Sequence, residues 1–414
     1  MGKQRAVIFG IGTFYQIYKK QIYHDFDVVA LIDNSPTKKL LIIDGFKVSG
    51  IEVLSQLEYE VICITTNPEN SYEIRNQLER MGIGIERMRF QEPGGIYPYK
   101  IPKSFFATNL SVKDKKRMFS ENIERVIIEI NSRCNRRCWF CPNSITDRSS
   151  ENIDMEDEVF DAILQALHSI DYSNEICFSY FNEPLCSSKI FQRIHAIRGC
   201  LPKAFLYLFS NGDYIQKETL DRLAQSGLNL VKIDVYTNDL PGNYSETNVK
   251  RQLDKLLERL DIAVDDHCLP PVIARAHTEG MDIEIITQDF SATACNRAES
   301  LPSTLPIPQI QQHNNPCIKN FISFHIAYNG NVYPCPNMHT GIENHQQFCV
   351  GNVHEANIFD IYLGDKLQKF RESNFFHREL LPCRSCIWNF DTFITNRFDH
   401  PFRDRPINRI QRSL

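Results

Sequence analysis

The sequence predicts an α/β protein of several domains, and three observations predict it. Residues 6–33 carry a strand, a glycine turn, a helix and a second strand. From about 119 to 300, short β-branched runs alternate with stretches of helical length. Beyond 301 a proline-rich stretch sets off a cysteine-bearing remainder. The 414 residues suffice for two or three domains.

Composition narrows the class. Apolar residues at 42% and charged residues at 23% are ordinary for a globular protein. A net charge of −5 argues against a general nucleic-acid binder. No apolar run reaches the roughly 20 residues that span a bilayer, so no membrane association is expected. The opening Met1-Gly2-Lys3-Gln4-Arg5 leads straight into a strand-like run, so no signal peptide and a cytoplasmic location are expected. Fourteen cysteines in such a chain read as metal ligands and buried thiols rather than disulfides.

Taken in order, residues 6–12 form a buried strand ending in a Gly-x-Gly turn at Gly10 and Gly12. A helix over about 13–21 and a strand over 28–32 ending at Asp33 follow. Glycines at such a turn admit a ligand to the backbone, and a helix N-terminus favours phosphate. Asp33 lies 21 residues past Gly12, where an acid can bond a ribose hydroxyl, but Tyr15 replaces the third glycine of G-x-G-x-x-G. The same glycines also serve tight strand–helix packing. A strand over 61–66 and a helix near 71–81 complete a unit ending near residue 90. Residues 91–118 read as a connector with three prolines and a basic run, Lys113–Arg117, on a solvated face.

The central region begins with the strand Val126–Ile130, followed by Cys134-Asn135-Arg136-Arg137-Cys138-Trp139-Phe140-Cys141. Three thiols thus share one loop just past a strand end, where α/β sheets and barrels carry their sites. Thiolates are the soft ligands that iron–sulfur clusters select, and three leave one iron of a cubane open. A helix over 155–169, a strand over 175–180, a helix near 190–198, a strand over 204–209, a helix near 217–226 and a strand over 230–235 follow. A helix near 248–260 and strands over 272–276 and 283–286 close the series. Repeated βα units predict a parallel sheet curled into a barrel or partial barrel.

After the proline-rich linker 301–316, Cys317 is followed by Gly330, Cys335 and the pair Cys383 and Cys386. Four thiols suffice to close a cluster with no open iron. Asn329-Gly330 is a hairpin signal between strand-like runs over 321–328 and 331–333.

C-x3-C-x2-C with an aromatic before the last cysteine resembles the signature of the radical S-adenosylmethionine (SAM) superfamily. The resemblance implies a partial (β/α)6 barrel over 119–300. It implies a [4Fe–4S] cluster on Cys134, Cys138 and Cys141 whose open iron binds SAM, and generation of a 5′-deoxyadenosyl radical. Asn182-Glu183-Pro184 matches the family's Gly-Glu-Pro-like motif, with Asn182 in place of glycine and Glu183 facing the SAM amino group. Ser210-Asn211-Gly212 matches the third-strand end near the SAM ribose and carboxylate, and Arg275 is a partner for that carboxylate. Separately, Glu183-Pro184 and Asn211-Gly212 are ordinary turn dipeptides.

C-x12-G-x4-C followed by C-x2-C resembles the SPASM/twitch extension. It implies a second [4Fe–4S] cluster on Cys317, Cys335, Cys383 and Cys386 within a domain over 317–392, with a basic tail over 393–414. The N-terminal pattern resembles small Rossmann-like domains that precede enzymes acting on nucleotide-linked sugars. Together these imply hydrogen abstraction from a sugar, aminocyclitol or nucleotide-sugar and dehydrogenation of a hydroxyl carbon, with a flavodoxin or ferredoxin as electron donor. Epimerisation, with Cys268, Cys295 or Cys349 returning hydrogen, and maturation of a ribosomally made peptide are the alternatives. The base for dehydrogenation is left among His267, His277, His325 and Asp234.

Overall fold

A computed structural model describes residues 2–39, 41–66, 68–92, 95–98, 110–236, 244–264, 266–267, 272–307, 317, 319–373, 381–384 and 386. They fall into two compact units, one built within residues 1–105 and the other from 106–312 and 318–387, with Cys317 grouped with the first. Among the described residues no helix is long and apolar enough to cross a membrane.

The first unit contains β1 (Gln4–Phe9), β2 (Phe26–Ile32), β3 (Ile42–Ile43), β4 (Phe46–Lys47), β5 (Val61–Ile64), β6 (Met88–Glu92) and β7 (Gly95–Pro98). Helices α1 (Thr13–Asp25) and α2 (Pro68–Arg80) connect them. The main sheet runs β2-β1-β5-β6-β7. Its first four strands are parallel and β7 closes the edge antiparallel. The runs AVIF and VICI are fully buried, as strands covered on both faces must be. Gly10 is required: its φ is +100°, and a Cβ there would run into the Thr66 methyl group.

The expected connector 91–118 is partly regular. Residues 95–98 form the edge strand and end at Pro98, a position in a sheet that tolerates proline. Helix α3 (Val112–Asn122) is capped by Ser111, whose hydroxyl accepts the Asp114 N–H at 3.1 Å, and it buries Met118 and Phe119 beneath the basic run.

The second unit is organised on β8 (Arg125–Ile128), β9 (Glu175–Cys177), β10 (Phe205–Ser210), β11 (Leu230–Asp234), β12 (Asp266–His267), β13 (Val272–Thr278), β14 (Met281–Ile286), β15 (Ser323–Ile326), β16 (Asn331–Tyr333) and β17 (Gly351–Asn352). Helices α4 (Asp157–His168), α5 (Ile190–Cys200), α6 (Lys217–Gln225) and α7 (Glu246–Leu260) alternate with the early strands. The sheet order is β12-β13-β14-β11-β10-β9-β8-β15-β16-β17. Strands β8 to β11 are parallel, as the βα repeats predict.

Two departures follow from hairpins. Thr278-Glu279-Gly280 turns β13 back on β14, with Gly280 at φ +86°, so β14 takes the place beside β11 and β13 lies antiparallel outside it. On the other side, β15 pairs parallel with β8 and carries the β15–β16–β17 meander, turned at Gly330 with φ +81°. Phe119 anchors this junction, its ring edge-on to Phe324, Phe359 and Tyr362. The predicted tail 393–414 lies outside the described residues.

Candidate active site at the strand ends

Ile130 and Asn131 are fully buried past β8, and there the chain turns into the cysteine loop. Backbone bonds fix the loop at both ends: Cys134 N–H donates to the Arg148 carbonyl at 2.9 Å, and Cys141 N–H to the Cys138 carbonyl at 2.9 Å. Arg136 pairs with Asp213 through Nε at 2.7 Å, and Asn135 donates to the same carboxylate at 2.7 Å. Trp139 and Phe140 drive the middle of the loop into an apolar cluster with Ala294, Leu301 and Ile307. The spacing thus has a physical basis. The intervening aromatics bury together with Cys138, and the intervening Asn135 and Arg136 tie the loop to Asp213.

All three thiols lie within electrostatic reach of Tyr236, whose hydroxyl is held well above its ordinary range by burial and then by Asp234, Cys138, Cys141 and Cys134. Burial pushes the Cys134 thiol up to about 11 and raises Cys141. Thiolates drawn partly out of water need positive charge beside them, which iron would supply. Among the described residues no three His, Cys, Asp or Glu side chains converge on a single metal ion. The chemistry of the donor set, three soft thiols carried on one loop, fits a cluster held by three cysteines.

Glu183 is 2% exposed and sits beside this loop. Its carboxylate accepts the Ser210 hydroxyl at 3.0 Å, the Asn211 N–H at 2.8 Å and the Leu185 N–H at 3.2 Å. Burial lifts it to about 7 against those donors, with Asp213 adding to the rise. Asn211 also donates to Asn135 at 2.7 Å, with the Cys134 sulfur 4.0 Å from its amide nitrogen. Asn182, where glycine was expected, uses its side chain as a strut. Its amide donates to Asn131 at 2.8 Å and its oxygen accepts the Tyr180 N–H at 3.0 Å. The structure thus joins Glu183, Asn182, Ser210 and Asn211 to the cysteine loop in one network.

Arg275 stands elsewhere. On the outer strand β13 its Nε lies 3.7 Å from Glu284, which also pairs with Lys232 at 3.1 Å. Of the four candidate bases, Asp234 ends β11 next to Tyr236. Burial raises it to about 7, Glu183 adds to the rise, and Lys232 and a Tyr236 hydrogen bond oppose it. His325 is fully buried on β15, held down to about 3 by burial, with Nδ1 facing the Tyr333 carbonyl at 3.2 Å. His277 is bound to Asp282 at 2.9 Å on the β13–β14 hairpin, and His267 lies on the edge strand β12. Cys295 is buried and its thiol points at Asn337 Oδ1, 3.7 Å away. Cys349 lies 3.3 Å from the Gly351 carbonyl, and Cys268 lies outside the described residues.

Of the second cysteine set, Cys383 is buried, while Cys335 and Cys386 are partly buried, as is Cys317 in the first unit's grouping. Tyr180 donates its hydroxyl to the Cys335 carbonyl at 2.9 Å, which ties the Cys335 loop to the end of β9. In the first unit both Asp33 oxygens are engaged. Oδ2 accepts the Ile11 N–H at 2.7 Å and Lys38 at 2.9 Å, and Oδ1 accepts the Ser35 N–H at 2.8 Å. Sequence reasoning missed Tyr236, Asn131, Asp213, Arg297 and Asn337. Asp213 directly follows Ser-Asn-Gly, which was a usable signal, whereas Arg297 and Asn337 carry no local pattern.

Comparison with known proteins gives matching family models over three stretches. Residues 2–89 match the C2185-like N-terminal family, 128–267 the radical SAM superfamily, and 317–387 the iron–sulfur cluster-binding domain SPASM. The chain is 26% identical over 247 residues to an S-adenosyl-L-methionine-dependent 2-deoxy-scyllo-inosamine dehydrogenase of Niallia circulans, covering 59% of this chain and 84% of that enzyme. It is 26% identical over 164 residues to a probable GTP 3′,8-cyclase of Methanocella arvoryzae, covering 40% of this chain and 51% of that protein. Among solved structures it is similar to BtrN in complex with AdoMet and 2-DOIA, at 22% identity and a TM-score of 0.47, covering 64% of this chain and 93% of that one.

Proposed function

We propose, from the premise that this chain belongs to the radical SAM superfamily of enzymes and carries a cluster-binding SPASM domain, that it dehydrogenates a hydroxyl-bearing carbon of a sugar, aminocyclitol or nucleotide-linked sugar. The observation that carries this reading is the placement of Asp234, a half-buried carboxyl at the end of β11 lifted to about 7, beside Tyr236 and the cysteine loop. The similarity to a dehydrogenase of 2-deoxy-scyllo-inosamine supports the same reaction class.

Cys134, Cys138 and Cys141 would hold the SAM-binding cluster, and Cys317, Cys335, Cys383 and Cys386 the auxiliary one. When bound, the first cluster with SAM supplies a radical that removes a hydrogen atom, and the second supplies a one-electron acceptor. Glu183 would receive the SAM amino group on the carboxylate that Ser210 and Asn211 hold in place. Arg275, paired with Glu284, is left out of that site. Turning a CH–OH carbon into a ketone releases one hydrogen atom, one proton and one electron. The proton goes to Asp234, whose value near 7 suits a base at neutral pH. Trp139, Phe140 and Phe290 pack the wall of the loop and keep water from it. Gly10, Gly12 and Asp33 are assigned the nucleotide end of a nucleotide-linked substrate. A flavodoxin or ferredoxin is the proposed source of the priming electron.

The test is anaerobic. Reconstituted protein is given SAM, a reductant and a panel of aminocyclitols, free sugars and nucleotide-linked sugars, and 5′-deoxyadenosine is followed. One compound is expected to raise the rate and to leave a product two mass units lighter. A product of unchanged mass would indicate epimerisation, and silence across the panel would overturn the carbohydrate reading.

A further inference from the structure

Arg297 sits where the two thiol loops of the second unit come together. Its Nε reaches the Phe140 carbonyl at 3.4 Å, one residue before Cys141. Its Nη1 reaches Asn337 Oδ1 at 3.2 Å, and the Asn337 N–H is directed at the Cys335 sulfur at 3.4 Å. One side chain and one amide thus link Cys335, on the auxiliary-cluster side, to the peptide that leads into Cys141.

The backbone that presents this arginine is unusual. Arg297, Ala298 and Glu299 have φ of +49°, +55° and +64°, three consecutive non-glycine residues in the left-handed region. Such a run persists only where surrounding bonds over-determine it, and it marks functional segments. Here the Ala298 carbonyl faces His345 Nε2 at 2.8 Å, the Leu301 N–H donates to the Asn296 carbonyl at 3.2 Å, and the Ser300 hydroxyl donates to the Arg297 carbonyl at 2.9 Å. The strap is pinned at three points while its arginine reaches inward.

We propose that Arg297 is a positioning residue that holds one fixed positive charge between the two cluster-bearing loops and so favours uptake of an electron by the auxiliary cluster. A cation beside a cluster stabilises its more negative, reduced form, and hydrogen bonds to the cysteine sulfurs act in the same direction. The Asn337 oxygen also receives the Cys295 thiol at 3.7 Å. The inference rests on Cys335 being an auxiliary-cluster ligand and is independent of which sugar is oxidised.

The experiment is a potentiometric titration of the fully loaded protein, with each cluster followed by electron paramagnetic resonance. At a fixed solution potential, Arg297→Gln is expected to lower the ratio of reduced to oxidised auxiliary cluster about tenfold, a displacement of about 59 mV for one electron. The SAM-binding cluster is expected to move in the same direction. Arg297→Lys, which keeps the charge, is expected to stay within threefold of wild type. An unchanged ratio in Arg297→Gln, or equal displacement in both variants, would overturn the proposal. If Arg297→Gln does not take up both clusters, Asn337→Asp sets a carboxylate against the guanidinium and cancels its charge in place. The same fall is then expected, and no fall refutes the proposal. Failure of the sugar panel would leave these potentials unaffected, so the two readings fail separately.

Discussion

Replacing Glu183 with Gln should separate stability from cofactor binding. The carboxylate is buried and accepts three donors, from Ser210, Asn211 and Leu185, yet burial still lifts it from an ordinary 4.5 to about 7. At 1.36 kcal/mol per tenfold, that rise amounts to about 3 kcal/mol. The folded state holds its proton more tightly than the unfolded chain. The Glu183 contribution is therefore fully favourable below about 4.5 and is lost as pH rises through about 7. Gln does not ionise, so this slope disappears. Its amide NH2 must face one of the three donors, which costs about 1–3 kcal/mol at any pH. Measured by denaturant unfolding without cofactor, Glu183→Gln should be the weaker protein at pH 5 and close to wild type at pH 8. The difference should shift by about 3 kcal/mol in the variant's favour. SAM binding to the loaded protein should weaken by about 10- to 100-fold through loss of a charge-assisted hydrogen bond. A stability difference that is flat between pH 5 and 8, with SAM affinity unchanged, would refute both halves of the reasoning.

Two further outcomes are expected. Cys138→Ala removes one of the three loop thiols, so SAM cleavage should vanish together with the cluster's visible absorption, and surviving cleavage would sink the assignment. Asp234→Asn should leave SAM cleavage measurable but cut dehydrogenation by at least 100-fold. In wild type the dehydrogenation rate should rise with pH through about 7 as Asp234 ionises. Because Glu183 adds to the rise at Asp234, the observed midpoint also depends on the charge that Glu183 carries.

What the sequence made legible was local. The cysteine loop, Asn182-Glu183 and Ser210-Asn211 each sit within a few residues of a strand end, and the strand-like runs placed those ends to within one to three residues. Once β8, β9 and β10 are parallel neighbours, their C-terminal ends are adjacent and the three motifs must meet. Contacts that depend on chain reversal were not legible. Arg275 read as a fifth-strand residue facing the cofactor. The Gly280 turn instead makes its strand antiparallel and outside β14, where Glu284 takes it. The pairing of β15 with β8 crosses nearly 200 residues, and no periodicity announces it. Arg297 was hidden for the same reason, since its partners Phe140 and Asn337 lie far from it in sequence and on opposite sides of it.

The N-terminal glycines allow one more discrimination, because their two readings predict opposite results at neighbouring positions. Gly10 is structural whatever the unit binds: its φ is +100° and a side chain would collide with Thr66. Gly12 has an ordinary extended φ of −117° as the first residue before α1. The nearest atom to a Cβ there is Lys38 Nζ at 3.9 Å, a normal contact. Packing therefore gives no reason for glycine at position 12, and Gly12→Ala should change unfolding stability by no more than about 0.5 kcal/mol. A phosphate approaching the N–H groups of α1 would meet that methyl, so affinity for a nucleotide-linked sugar should fall at least tenfold. Asp33 alone is a poorer probe, since Asp33→Asn disturbs the Ile11 N–H, Ser35 N–H and Lys38 contacts whether or not ribose binds. A stable Gly12→Ala protein that binds nucleotide-linked sugars as wild type does would leave the turn with no ligand to admit, and the nucleotide assignment of residues 1–90 would fall.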